Sequence, residues 1–151
     1  MNDEDGGVVN EIDLQTNTVS RHFTIAPGYS GVVRVEDVVV SNDGAELYVA
    51  DEGDGGGRVV VVDLATGSTV ATVAPTPTEP GAANVWDVAL TPDGTQLYAA
   101  MPNRVAIIDR ATRTIVKYVQ LSGVVVTRVV FDAPGTTAVV AYDGTGVAFI
   151  R

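Results

Sequence analysis

The chain has 151 residues, 19 of them acidic and nine basic, giving a net charge of −10 and a pI near 4.2. So acidic a chain lacks the clustered Lys and Arg that phosphate backbones need, and an anionic membrane surface is disfavoured for the same reason. The sequence contains no cysteine, which excludes disulfides, thiolate nucleophiles and Cys-ligated metals.

The length fits one domain, able to bury roughly 70% of its unfolded surface. Apolar residues make up 46%, weighted toward Val and Ala with three Phe and one Trp, a mix suited to closely packed strands. Lys117 is the single lysine, and acidity of this strength serves solubility more than a specific partner. No charged-apolar-small leader opens the sequence and no 18-residue apolar run occurs, so a soluble chain with no membrane insertion and no secretion signal is expected.

Residues 1–28 read as the second half of a repeat. Residues 9–13 fall 50 positions before residues 59–63, and the acidic Gly-rich loop 2–7 takes the place of loop 51–57. Residues 28–35 then link to a complete unit, 35–76. Its strands are expected at 37–41, 46–50, 58–63 and 69–74, separated by turn signals such as Asn42-Asp43-Gly44 and Ala65-Thr66-Gly67-Ser68. Val59-Val60-Val61-Val62 is apolar at every position, so that strand needs cover on both faces. No stretch carries the i, i+3, i+4, i+7 pattern of an amphipathic helix.

The connector 75–84, with three prolines, joins like units and reads as an inter-unit loop. In the second complete unit, 85–123, Val85-Trp86-Asp87-Val88 repeats Val35-Glu36-Asp37-Val38, and Leu97-Tyr98-Ala99-Ala100 repeats Leu47-Tyr48-Val49-Ala50, both 50 residues on. Ile108-Asp109-Arg110-Ala111-Thr112 repeats Val62-Asp63-Leu64-Ala65-Thr66 at 46, so the intervening Gly-rich turn is shortened. A partial unit, 124–151, supplies strands at 127–131, 138–141 and 147–150. The tally is two, four, four and three strands. Four-stranded antiparallel units at a period of 40 to 50 residues predict an all-β fold of β-propeller type, because stacking like sheets about an axis covers both apolar faces of each. A β-sandwich, the alternative, predicts alternation with no fixed period. The chain holds about three to three and a half blades, as a single segment of a larger or oligomeric propeller.

Leu47-Tyr48-Val49-Ala50-Asp51, the Asp-Gly turn and Val62-Asp63-Leu64-Ala65-Thr66-Gly67-Ser68 resemble the YVTN-type β-propeller repeat of bacterial and archaeal surface-layer and extracytoplasmic proteins. Ile12-Asp13-Leu14-Gln15-Thr16-Asn17-Thr18-Val19 is closer still to that repeat's third-to-fourth hairpin. Tyr98-Ala99-Ala100-Met101 lacks the final polar residue, and Val139-Val140-Ala141-Tyr142 has lost the leading Tyr. The resemblance implies the propeller fold and an extracytoplasmic or cell-surface setting. Its shared residues are structural: Asp13, Asp63 and Asp109 each precede a hairpin turn, where a carboxylate accepts backbone N–H groups two or three residues on.

In a propeller the first strand of each sheet lines the central channel, and ligands sit at its mouth. Glu36 and Asp37, Trp86 and Asp87, and Thr127 and Arg128 hold equivalent places near the starts of first strands. Of these, Glu36, Asp37, Trp86, Asp87 and Arg128 are the candidate ligand-binding residues, with Trp86 as a stacking surface. The plainer reading is a solvated rim in which Arg128 pairs with Asp87 across neighbouring units.

Other chemistries find less support. Asp51-Glu52-Gly53-Asp54-Gly55 misses the spacing of a calcium loop. No glycine run is followed by Lys and a helix, which rejects a phosphate loop. His22 is the single histidine and lies in an outer strand, where it can assemble neither a Ser-His-Asp triad nor a multi-His metal centre. No catalytic residue, metal or cofactor is therefore assigned.

The function expected is a non-catalytic binding or structural module taking a protein or small ligand. A lactonase-like hydrolase with its site at the channel mouth is the alternative implied by the resemblance. Open strand edges at both ends predict self-association, with residues 127–151 of one copy completed by 7–25 of another and one third strand left over at each junction.

Overall fold

The computed structural model describes residues 7–25, 33–53, 56–75, 84–144 and 146–150. Loop residues 2–6, Asp54 and Gly55, and connector residues 76–83 fall outside these. Among the described residues every regular element is a strand and every strand pairing is antiparallel. No helix is long and apolar enough to cross a membrane.

Strands β1 (Val8–Asp13) and β2 (Thr18–Thr24) form a two-stranded sheet. β3 (Val35–Val40), β4 (Glu46–Asp51), β5 (Arg58–Asp63) and β6 (Ser68–Val73) form a four-stranded meander in sequence order. β7 (Asp87–Leu90), β8 (Gln96–Asp109), β9 (Thr114–Phe131), β10 (Ala138–Tyr142) and β11 (Gly146–Ile150) follow in a sheet of order β11-β10-β9-β8-β7.

The last sheet departs from the sequence expectation, because β8 and β9 are single runs where two strands each were expected. The ends of β8 nevertheless lie side by side, the Arg110 N–H donating to the Thr95 carbonyl at 3.0 Å. Fourteen straight residues would hold them about 45 Å apart. So β8 doubles back at Pro102 and Asn103, where Asn103 takes the left-handed φ of 63°, a tight turn that Asn tolerates. β9 serves two neighbours in succession. Its residues 114–120 pair with β8, and its residues 126–131 pair with β10, with Gly123 at φ 79° between them. The eighteen-residue run thus turns a corner from one sheet layer into the next, at a residue with no Cβ to oppose it.

Three cores separate four layers. Phe23 and Ile25 pack on Leu47, Val49, Val60 and Val62. Tyr48, Ala50, Val59 and Val61, on the other face of the same meander, meet Val88, Leu97, Ala99, Ala106 and Ile108. Ala100 and Val105 then meet Val126, Val129, Ala138 and Val140. The all-apolar β5 is accordingly buried on both faces, Val59 through Val62 each at most 1% exposed, as its lack of alternation required.

The hairpin acids occupy the places their sequence predicted. Asp13 Oδ1 accepts the N–H groups of Gln15 and Thr16 at 2.7 and 3.2 Å. Asp63 and Asp109 each accept both the N–H and the hydroxyl of the Thr three residues on, Thr66 and Thr112. These bonds favour the charged form and hold all three carboxyls below their ordinary range.

Candidate functional site

The first strands β3, β7 and the second half of β9 lie at successive places in the stack, with register Asp37↔Ala50, Asp87↔Ala100 and Arg128↔Ala141. A β-bulge precedes Asp37 and Arg128. Glu36 is the extra residue between the pairs Val35↔Asp51 and Asp37↔Ala50, and Thr127 between Val126↔Tyr142 and Arg128↔Ala141. Trp86 donates its N–H to Ala100, which already faces Asp87. A bulge re-aims the side chain that follows it. Asp37 and Asp87 reach toward the next layer, whereas Arg128 reaches back to Asp87 in the preceding one.

Both acids are used there. Asp37 Oδ2 accepts the Val88 N–H at 3.2 Å, and Asp87 Oδ2 accepts the Val129 N–H at 2.7 Å. Asp87 Oδ1 lies 3.7 Å from Arg128 Nε, whose side chain is 69% exposed against 8% for the acid. Burial pushes the Asp87 carboxyl above its ordinary range and the nearby Asp37 carboxylate adds to the rise. The Val129 N–H and Arg128 oppose it.

Asp37, Asp87 and Arg128 are therefore brought together. Glu36 is not among them. It is exposed on the neighbouring position of β3, where loss of water around its carboxyl and the carboxylate of Glu52 push it upward. Glu52 in turn accepts from the Asn84 side-chain amide at 2.8 Å. Trp86 is half-buried at the start of β7. His22 is exposed on β2.

Two further polar clusters were missed by sequence reasoning. Asp51, fully buried, accepts the Arg34 and Gly53 N–H groups on one oxygen and the Arg58 guanidinium on the other at 2.7 Å. Its carboxylate is thus committed within the protein, which removes the acid that opened the candidate calcium loop. Among the described residues no group of three or more His, Cys, Asp or Glu is placed to hold a metal. The second cluster joins two sheets. Arg110 donates from Nε to the Tyr48 hydroxyl at 2.6 Å and to Glu46 at 3.1 Å, and from Nη2 to Asp43 at 2.9 Å. Tyr48 donates to Glu46, and Arg113 closes on Glu46 at 2.9 Å. Asp51 and Arg58 flank one loop and were visible as opposite charges, whereas Arg110 and Tyr48 stand 62 residues apart with no sequence signal linking them.

No family model and no curated protein matches this chain. Solved structures do, 622 chains of them, so likeness to any one does not select an activity. A structure titled Kuenenia stuttgartiensis hydrazine synthase is similar at 23% identity and a TM-score of 0.79, over 95% of this chain. The chain spans 39% of that protein's length. At this identity the likeness concerns the all-β fold alone.

Proposed function

We propose that the chain is a propeller-type stack of four-stranded sheets acting as a non-catalytic binding or structural module outside the cytoplasm, with Trp86 and the rim charges offered to a protein or small ligand. The setting rests on the resemblance to YVTN-type repeats. The absence of catalysis rests on the engagement of the rim acids: Asp37 and Asp87 each hold the backbone N–H of the next first strand, and Arg128 holds Asp87. A carboxylate oxygen that accepts such a bond is less available to activate water or bind metal.

A lactonase assay with divalent cations tests this. No hydrolysis above background is expected, and Asp87→Ala and Arg128→Ala alter stability alone. Metal-dependent lactone hydrolysis that both substitutions abolish overturns the reading in favour of the hydrolase.

A further inference from the structure

Each internal junction joins two kinds of sheet face, and the ends of the stack leave one of each kind uncovered. On a first strand the residue after the rim position faces the preceding layer. Val88 and Val129 are buried in this way, at 3% and 2% exposure. Val38 holds the same place on β3 and is 41% exposed, with Val40 at 49%. The next residue faces the following layer. Val39 and Ala89 pack in this way into the cores beyond them. Val130 is their counterpart on β9 and is 50% exposed.

We infer that these two faces are the two halves of a head-to-tail contact between copies of this chain. The occupant follows from the molecule itself, since inside the stack a face of the Val39 and Ala89 type is covered by a face of the Val88 and Val129 type. A second copy presents that face through Val38 and Val40. Charge agrees. Within one chain Arg128 meets the rim acid of the preceding strand, and at the junction it also faces Asp37 of the second copy.

The layers match in strand content as well. β1 and β2 already cover Leu47, Val49, Val60 and Val62, and what their layer lacks is two inner strands. The second half of β9 and β10 supply them. β1 and β11 are both third strands, so β11, whose outer edge carries no partner, gives up its place and β10 pairs with β1. The contact is heterologous and leaves a head and a tail over, so a pair closes by making it twice.

This inference rests on the proposed reading of the sheets as successive blades, and its test is separate from the assay above. Light scattering on a sizing column is expected to give twice 15.7 kDa at micromolar concentration. Val38→Lys with Val40→Lys on the head, and Val130→Lys on the tail, each weaken association by about tenfold or more, a charge replacing a buried apolar contact. All three positions are exposed within one chain, so circular dichroism stays that of the folded chain while the concentration dependence of melting is lost with association. A one-to-one mixture of head and tail variants restores a single junction and hence a dimer. A wild-type monomer overturns the inference and leaves the binding-module reading standing. Association lost in the tail variant but retained in the head variant also overturns it, because that pattern marks pairing between identical edges.

Discussion

Asp87 accepts the Val129 N–H at 2.7 Å from a position 5% exposed, and so ties β7 to the strand of the next layer. The Asp87→Ala variant leaves a buried N–H without its acceptor, and it is expected to lose about 2 kcal/mol of stability. Asp87→Asn keeps an acceptor oxygen and removes a buried charge, so it retains most of that stability. Urea unfolding of the two variants decides the matter, and equal losses would mean that charge, not the hydrogen bond, holds the layers.

The pH dependence has two parts of opposite sign. The Asp87 carboxyl is raised in the folded chain, so the native state holds its proton more tightly than the unfolded chain does. Its contribution therefore weakens as pH rises from the unfolded value of 3.8 through the raised one. The lowered acids Asp43, Asp63, Asp93, Asp109 and Asp132 act the other way, and their contribution is lost as pH falls below that same unfolded value. Urea midpoints measured from acid to neutral pH are expected to show Asp87→Asn gaining on the wild type as pH rises, with the gap closing in acid. A gap that is constant with pH refutes the assignment.

Arg110 is the other tie between layers. Its removal deprives the Tyr48 hydroxyl and Glu46 of a donor they share across sheets, while Arg113 stays on Glu46. Arg110→Ala is expected to cost about 1–2 kcal/mol. A double-mutant cycle with Glu46→Gln should show a coupling well above that of an exposed pair, about 0.5 kcal/mol. A coupling near zero would reduce the network to surface charge.

Two turn glycines separate backbone from packing effects. Gly44 and Gly67 share a φ near 70°, but a Cβ at Gly44 meets nothing within 4 Å while one at Gly67 meets Phe23 at 3.1 Å. Gly44→Ala is expected to cost about 1 kcal/mol from the left-handed backbone alone. Gly67→Ala costs more, because Phe23 belongs to the first core. Thermal melts of both variants measure the difference, and equal shifts would show that Phe23 yields freely.

What the sequence revealed was either local or repeated. The Asp63 and Thr66 turn is complete within four residues, and the unbroken valines of β5 announce their double burial. The repeat, which sets Arg128 41 residues after Asp87, already paired the two in sequence. The backbone donors of Val88 and Val129 were invisible, because every residue carries an N–H and sequence does not say which acid will reach it. The bulges at Glu36 and Thr127 escaped notice for a related reason: they are offsets between two strands, not patterns along one. Arg110 and Tyr48 meet only through the stacking of whole sheets, and a pair joined in that way leaves no periodic trace.

The corner at Gly123 bears on how the chain comes apart. Because β9 belongs to two layers, its amides in one cannot be exposed without loosening the other, and those layers form one cooperative unit toward hydrogen exchange. The β3–β6 meander shares no strand with its neighbours, and its opening is limited by side-chain contacts alone. The molecule is thus divided, in the order of its unfolding, at the connector before β7, upstream of the two layers that β9 holds as one.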